Sequence, residues 1–424
     1  MSWQRWWLTA GLSAAMLFES QTAWADAPPA CRTITRSNLV SCVLAASLAR
    51  KAGQAGIEAA EGRVRATGPW FPSGPSLALT GARRQAAENT ALNWSATLGV
   101  ELELAGQRGA RRTAAGFERD AETRSVEALE RSNAALAWRT YFDVLAADEA
   151  LELVQRLETA AKRVWDVARA SAERGVLPGV EADLAEAAYV RVARRRIDAR
   201  REAERARSEL AVLLGADRGQ RVDVTGALDP LPEAARLKST DRIDVPEAAA
   251  FEAEGSAFSA RADAQRRSRI PSPTVSVFAE RDGFNENVLG VGLAFPLPLP
   301  EPVGRMHAGE IAESEALSRR ARLLAADARR KAGGDLRRAL AEYEAAQEAT
   351  AMYTKERLQR SETSLLNLAS EVEAGRISTR DAVILQEPLF ELLLGAVEAR
   401  RLLCVASADV ARAAGVRLED GSAR

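Results

Sequence analysis

Apolar and polar residues alternate over two stretches of the chain. From Trp94 to Leu104 every second residue is Trp, Ala, Leu or Val, and the residues between them are Ser, Thr, Gly or Glu. Residues 287–295 alternate in the same way. Because successive side chains of a strand point to opposite faces, each stretch predicts a β-strand with one apolar face. Weaker alternation over 76–84 and 274–281 predicts a partner for each strand, so we expect two β-hairpins, at 76–104 and 274–297.

The length of these strands allows two environments. Nine to eleven residues are about what a tilted strand needs to cross a bilayer. The alternative is an ordinary hairpin packed on a soluble core, and alternation does not separate the two. Closed membrane barrels begin at about eight strands. Four strands in lipid would therefore have to be shared with further chains.

Two very long helical stretches follow the hairpins. Residues 109–173 contain no proline and only one internal glycine, Gly116, and predict a helix about 100 Å long. Residues 304–374 predict a second one, and each is followed by a glycine turn and a helix of about 35 residues. The apolar residues form a thin seam while the other faces are rich in Arg and Glu. This pattern suits coiled-coil packing in a tube wall that is wet on both sides, or a plain soluble coiled coil.

The chain is built from two copies of one unit. Gly175 and Gly215 recur 200 residues later as Gly375 and Gly415, and Thr97–Leu102 resembles Val288–Leu293. The predicted fold is mainly α with a small β part, in two internal repeats. The predicted division is a first repeat at 26–216 with long helices at 109–215, a linker at 217–245, a second repeat at 246–416 with long helices at 304–414, and a tail at 417–424.

The N-terminus predicts export. Arg5 precedes an apolar stretch at 6–18, and Ala23-Trp24-Ala25 fits a signal peptidase site, so residues 1–25 are expected to be a signal peptide. The apolar stretch is too short for a membrane-spanning helix. The 58 basic and 59 acidic residues nearly balance, which argues against a nucleic-acid partner.

Three cysteines fit an oxidising compartment. Cys31 and Cys42 are close in sequence, and we expect them to form a disulfide, with two free thiols as the alternative. Cys404 lies among Leu402, Leu403 and Val405 and is expected to be a buried helix residue.

Taken together, these stretches resemble the TolC-like outer membrane efflux family over nearly all of the chain after the signal peptide. The stretches that carry the resemblance are EAAEGRVRATGPWFP (58–72), LGVELELAGQRGARRTAA (98–115), RGVLPGVEADLAE (174–186), LGVGLAFPLPLPEPVG (289–304) and EAGRISTRDAVIL (373–385). The Pro-Leu-Pro-Leu run at Pro296–Leu299 looks most like the heavy-metal efflux branch. The chain departs from that branch in lacking a lipidation cysteine and in carrying Pro300–Val303 before the glycine.

The resemblance implies a homotrimer in the outer membrane with a large periplasmic portion. Three chains would form a 12-stranded transmembrane β-barrel and a trimeric α-barrel of long antiparallel helical hairpins. The implied function is the passive exit duct of a tripartite efflux pump, with metal cations as one class of cargo. The implied partners are a periplasmic adaptor (membrane fusion) protein, an inner-membrane RND-type transporter and outer membrane lipid. The alternative functions are a periplasmic adaptor, which usually lacks the internal duplication, and a soluble coiled-coil scaffold.

The two helical turns are the first candidate sites. Gly175 and Gly375 fit left-handed positions at helix ends. The resemblance places these turns at the periplasmic tip, where the adaptor docks. The residues expected there are Gly175, Val176, Leu177, Gly375, Arg376, Ile377 and Ser378. A plain helix-turn-helix is the alternative, but it predicts polar turns. Val176, Leu177 and Ile377 are apolar and are expected to be exposed at a tip, and exposed apolar residues often mark a contact surface.

Acidic residues behind the turns are the second candidate. The resemblance implies that Asp381, and less directly Asp183, constrict the tunnel mouth. Three copies would form an acidic ring, which is a common device for selecting cations. The alternative is a carboxylate that is simply favoured near a helix N-terminus.

Little in the sequence points to catalysis. The only histidine is His307. One histidine supplies neither a metal site nor a catalytic set, so we expect no enzyme activity, no cofactor and no metal centre.

Overall fold

The computed structural model describes residues 31–85, 90–216, 222–236, 244–281, 286–297 and 306–418. The predicted signal peptide lies outside these ranges. Residues 298–305, which complete the Pro-Leu-Pro-Leu run, also lie outside them, as do most of the tail and parts of the linker.

The first half of the chain pairs short elements with two long helices. Its elements are β1 (Thr33–Ile34), α1 (Leu39–Ala46), α2 (Leu48–Ala66), β2 (Ser76–Gln85), β3 (Thr90–Glu101), α3 (Gln107–Glu173) and α4 (Gly179–Leu213). Helices α1 and α2 are separated at Ser47, whose side chain caps α2 by accepting a hydrogen bond from the backbone N–H of Arg50. At 1.5 Å per residue, α3 is about 100 Å long.

The second half repeats this order after a short connection. Its elements are β4 (Asp223–Val224), α5 (Pro232–Arg236), α6 (Pro246–Arg267), β5 (Thr274–Arg281), β6 (Asn287–Ala294), α7 (Ala308–Ala351), α8 (Lys355–Glu373) and α9 (Thr379–Ala413). Helix, two strands, long helical segment and closing helix thus occur in the same order twice. Within the described residues, no helix combines the length and the apolar content that crossing a bilayer requires.

One part of the prediction was wrong. The stretch 304–374 is not one helix, because α7 ends at Ala351 and α8 begins at Lys355. The Oγ of Thr354 accepts the backbone N–H of Arg357 at 3.3 Å and starts the new helix. Tyr353 packs against α9 at Gly395, where a Cβ would lie 2.7 Å from the tyrosine Oη. Because Gly395 has no side chain, it leaves room for the Tyr353 ring at the point where the helix is interrupted.

The four longer strands form one antiparallel sheet in the order β2-β3-β5-β6. Leu98 stands opposite Leu77 on one side and Val277 on the other, and Val277 stands opposite Val291. Paired residues share a face, so the predicted apolar face continues across all four strands. The large apolar side chains exposed on it are Leu77, Leu79, Leu92, Trp94, Leu98, Val275, Val277, Leu289, Val291 and Leu293. This face is not packed on the core of the chain, and Val291 is 81% exposed.

The opposite face of the sheet is mostly small or polar, and Phe278 and Val288 are the large apolar residues on it. Gly99 lies beside Ser76, Gly292 lies beside Ser276, and Gly290 leaves room for the ring of Phe278. The glycines let their cross-strand neighbours lie over the sheet. The two faces therefore differ in the way that a lipid face and a wet face would.

The helices next to the sheet form a layer that follows the same order as the strands. Helix α3 packs on α2 on one side and on α6 on the other, and α6 packs on α7. Helices α2 and α7 stand at the two ends of this layer, as β2 and β6 do in the sheet. Farther from the sheet, α3 packs on α4 and α8, and α9 packs on both of these helices. Their shared core includes Leu157, Val164, Leu365 and Phe390.

The largest fully buried side chains cluster about halfway along α3, in a region around Trp138, Tyr141 and Phe142 that we call the waist. Here β1 pairs in parallel with β4, and Cys31 is joined to Cys42 by a disulfide. Trp138, Tyr141 and Phe142 are fully buried, with ring centroids 5.6 and 5.7 Å apart. The Tyr141 hydroxyl donates to the carbonyl of Thr225 at 2.9 Å, and burial raises the pKa of that hydroxyl. This core fixes the N-terminal segment and the connection between the repeats to α3.

Cys404 is free and fully buried in the same core, as predicted. Burial raises the pKa of its thiol to about 12. Because the thiolate is the reactive form, the folded protein should hold this thiol unreactive at pH 8.

We therefore expect three distinct thiol counts for the mature protein. A disulfide-exchange reagent at pH 8 should find no reactive thiol in the folded chain. It should find one after unfolding without reductant and three after reduction. Three thiols without reductant would contradict the disulfide, and a reactive thiol in the folded chain would contradict the burial of Cys404.

Candidate functional site

Both helical turns end their helices in the same way. Gly175 and Gly375 each have φ of 70°, the left-handed conformation expected from the sequence. The N–H of Gly175 donates to the carbonyl of Ala172 at 2.9 Å, and that of Val176 donates to Ser171 at 3.0 Å. Gly375 and Arg376 donate in the same way to Val372 and Glu371, at 3.0 and 2.9 Å. These are Schellman motifs, which satisfy the last carbonyls of a helix and reverse the chain.

The apolar residues at the turns differ in exposure. Val176 is 78% exposed, as a residue at a free tip should be. Leu177 and Ile377 are half-buried, and Ile377 packs against the main hydrophobic core. The expectation of three exposed apolar residues was therefore wrong for these two. Val180, which the sequence interpretation missed, is 77% exposed in the first turn of α4 and extends the apolar surface of the first tip.

The second turn carries charge instead of an apolar surface. Arg376 forms a two-point ion pair with Glu371 on the preceding helix, with Nη2 2.8 Å from Oε1. Hydrogen bonding from Arg376 holds the pKa of Glu371 below its usual range. The guanidinium thus bridges the turn within its own hairpin.

Asp381 lies in the first turn of α9 and is exposed. The Oγ of Ser378 accepts the backbone N–H of Asp381 at 3.0 Å and donates to its Oδ2 at 2.7 Å. This is a helix-capping arrangement, and the carboxylate also faces the positive end of the helix dipole. Asp183 is exposed on α4 and makes no hydrogen bond or ion pair to the residues that the structure describes. In the single chain the Asp381 carboxylate is therefore part of a helix cap, whereas the Asp183 carboxylate has no partner among the described residues.

Ion pairs link the two hairpins behind the turns. Glu387 on α9 pairs with Arg195 and Arg191 on α4, the latter at 3.5 Å. Arg156 on α3 lies 3.3 Å from Glu362 on α8. No local sequence pattern indicates these pairs, since their members lie far apart in the chain. The pairs of Glu387 connect α4, which carries Asp183, with α9, which carries Asp381.

Metal-binding geometry is not found among the described residues, where no three His, Cys, Asp or Glu side chains converge. His307 starts α7 with φ of 52°, and its Nδ1 lies 3.5 Å from Glu310.

Comparison with known proteins adds sequence and fold relationships. Residues 39–216 match the family model described as "Outer membrane efflux protein". The cobalt-zinc-cadmium resistance protein CzcC of Cupriavidus metallidurans is 28% identical over 208 residues, which cover 48% of this chain. That alignment spans only half the length of the relative.

Solved structures match over nearly the whole chain. The channel protein CusC has a TM-score of 0.72 at 15% identity, covering 90% of this chain and 92% of that one. The outer membrane protein VceC of Vibrio cholerae has a TM-score of 0.71 at 16% identity, covering 91% and 97%. At these identities the structures establish the fold, which is mainly helical with a small β part. Residues 39–216 are therefore similar in sequence to the outer membrane efflux protein family, and the chain as a whole shares the fold of CusC and VceC.

Proposed function

We propose that this chain is the outer-membrane channel component of a tripartite efflux pump, acting as a passive exit duct. The observation that carries the proposal is the uncovered apolar face of the four-stranded sheet. Lipid would cover such a face, and the match of residues 39–216 to the outer membrane efflux model supports a place in the outer membrane with a large periplasmic portion. A soluble scaffold or adaptor would leave this face in water.

The open edges of both layers support a homotrimer. Among the described residues, β2 and β6 each pair on one side only, so backbone N–H and C=O groups on their outer edges lack strand partners. In lipid such groups must be satisfied by protein. Pairing β6 of one copy with β2 of the next would satisfy them, and three copies would give 12 strands. The helical layer would close in the same sense, α7 against α2.

The tips supply the proposed contact with the periplasmic adaptor. Val176 and Val180 offer an exposed apolar patch beside a rigid Schellman turn, and Gly375, Arg376 and Ser378 form the second, more polar tip. An inner-membrane RND-type transporter would deliver the cargo. The resistance named for CzcC makes divalent metal cations one class of cargo that we propose.

The tunnel mouth is proposed to lie behind the tips. Threefold symmetry would set three copies of Asp381 around an axis, and Asp183 would add a second set. Such rings attract cations.

The orientation of the sheet predicts a sharp difference between neighbouring residues. Leu98→Arg puts a charge on the apolar face, which costs about 2–4 kcal/mol at the middle of a bilayer. Thr97→Arg is the matched control, because it points to the opposite face. We expect outer-membrane recovery and a heat-resistant trimer on gels for the wild type and Thr97→Arg, with both strongly reduced for Leu98→Arg. Recovery of the wild type in the soluble periplasm would overturn the proposed function.

Substitutions at the tips should separate docking from assembly. The double variant Gly175→Glu/Gly375→Glu places charged side chains at both turns, where a new Cβ would touch no other residue. We expect export, measured as resistance of a complemented deletion strain, to fall to the level of the deletion while the trimer persists. Gly215→Glu is the control, because Gly215 ends α4 at the waist with φ of 62° and bears the same backbone strain. Normal export in the double variant would contradict docking at the tips.

The Ser378–Asp381 pair separates a gate from a helix cap. Asp381→Ala and Ser378→Ala both remove the hydrogen bond between the two side chains, but only the first removes the charge. In planar bilayers we expect Asp381→Ala to lower cation selectivity severalfold and Ser378→Ala to retain it. Equal selectivity in both variants and the wild type would show that Asp381 serves the helix terminus alone.

A further inference from the structure

Five described stretches of the chain meet where the helices join the sheet. We call this region the collar, made of residues 68–71, 101–112, 267–273, 295–297 and 306–307. The N–H of Leu102 donates to Pro273 at 2.9 Å, and Nε2 of Gln107 donates to the carbonyl of Ile270 at 3.2 Å. These bonds cross between the two repeats, so the collar is a fixed part of the structure.

Arg108, Arg267 and Arg269 of the collar carry charge that no carboxylate of the described residues neutralises. Nη2 of Arg108 donates to the carbonyl of Gly68 at 2.5 Å, Nη1 of Arg267 to Ala105 at 3.2 Å and Nε of Arg269 to Met306 at 2.8 Å. Within the described part of the chain none of the three forms an ion pair. Each guanidinium has five N–H donors, so donors remain for a ligand.

The carboxylates of the collar compensate for only part of its positive charge. Glu103 forms a bidentate pair with Arg111, at 2.5 and 2.8 Å. Glu101 keeps its negative charge and accepts a hydrogen bond from Ser73 at 3.1 Å. Along the rest of the helices, by contrast, many arginines lie against acidic neighbours, as Arg400 does against Glu149 at 2.8 Å. The described residues of the collar hold five arginines against these two glutamates, so their net charge is positive.

Exposed apolar side chains lie in the same band. Trp70 is 76% exposed, and the guanidinium of Arg108 lies 4.4 Å from the centroid of its ring. The other large apolar side chains exposed in the collar are Phe71, Leu104, Ile270, Phe295 and Leu297. They continue the apolar face of the sheet, whose nearest members are Leu77, Val275 and Leu293.

We infer that the collar binds anionic phospholipid headgroups of the leaflet that faces the periplasm. The inference rests on the proposed function, since it places the sheet in the membrane. Arg108, Arg267 and Arg269 would contact the lipid phosphates, while Trp70 and its apolar neighbours lie at the boundary of the acyl chains. Aromatic and basic side chains favour this depth of a bilayer, where a ring is half wet and a guanidinium reaches the headgroups. The apolar rim distinguishes this surface from a site for free phosphate.

Lipid titration of the detergent-purified, full-length mature trimer tests the inference, with native mass spectrometry as the measurement. We expect phosphatidylglycerol to bind more tightly than phosphatidylcholine. The variant Arg108→Gln/Arg267→Gln/Arg269→Gln should lose about tenfold or more in phosphatidylglycerol affinity, from the usual contribution of basic residues at a membrane surface, and keep its phosphatidylcholine affinity. Trp70→Ala should weaken binding of both lipids.

The control removes the same charge elsewhere. Arg163, Arg194 and Arg200 are exposed and likewise form no ion pair within the described residues, but they lie on α3 and α4 beyond the waist. Their triple Gln variant should bind lipid as the wild type does. An equal loss in this control, or no loss in the collar variant, would overturn the inference. Competition by millimolar inorganic phosphate would also overturn it, in favour of a free-anion site.

Conductance separates this inference from the proposed function. A collar variant that has no lipid preference but conducts like the wild type in phosphatidylcholine bilayers supports a lipid-specific role. A wild-type trimer that conducts but shows no lipid preference overturns the inference alone. Absence of conductance in the wild type overturns the proposed function itself.

Discussion

The uncovered apolar face of the four-stranded sheet is the constraint on which the rest of the structure depends. Leu77, Leu98, Val277 and Val291 follow one another across all four strands and contact no core of their own chain. At about 25 cal/mol per Å² of apolar surface, leaving such a face in water is costly. The sheet also ends in two strands with open edges. Lipid would cover the face but not the edges, and further copies would pair the edges but not cover the face, which is why the proposed function includes both a membrane and an oligomer.

The helical part answers a different constraint. A single layer of helices with water on both sides cannot bury much apolar surface, and the buried residues of α6 are accordingly mostly Ala, with Gly255 among them. Its many surface ion pairs each contribute little, about 0–1 kcal/mol. The chain instead concentrates burial at the waist, where Trp138, Tyr141 and Phe142 on α3 pack with the disulfide-linked N-terminal segment and the end of α9. From this core, the layer of α2, α3, α6 and α7 extends toward the sheet. In the opposite direction, α3, α4, α8 and α9 extend toward the two tips.

The sequence was most informative where a regular period or a fixed offset carried the signal. Strict alternation gave the strands and their apolar face, and the recurrence of Gly175 as Gly375 gave two left-handed turns. Pairings between distant residues, such as Glu387 with Arg191 and Arg195, leave no local pattern and could not be predicted. The break at Met352–Thr354 could not be predicted for the same reason, because Tyr353 packs against Gly395 on another helix. Ile377 looked exposed only because the turn was considered without the core beneath it.

That break makes the two repeats mechanically unequal. In the first repeat one helix, α3, runs unbroken from the sheet to the tip, so backbone hydrogen bonds couple Gly175 to the membrane end. In the second repeat, the backbone hydrogen bonds of the helix are interrupted between α7 and α8. Pro388 also removes one backbone N–H donor from α9. Both interruptions lie between the waist and the second tip. The hairpin that carries Asp381 is therefore joined to the rest by one helix, α9, in which Pro388 lacks a donor, and by side-chain packing and Glu387. The hairpin that carries Asp183 is held by two unbroken helices, α3 and α4. The proposed mouth is built from one rigid hairpin and one jointed hairpin in each chain.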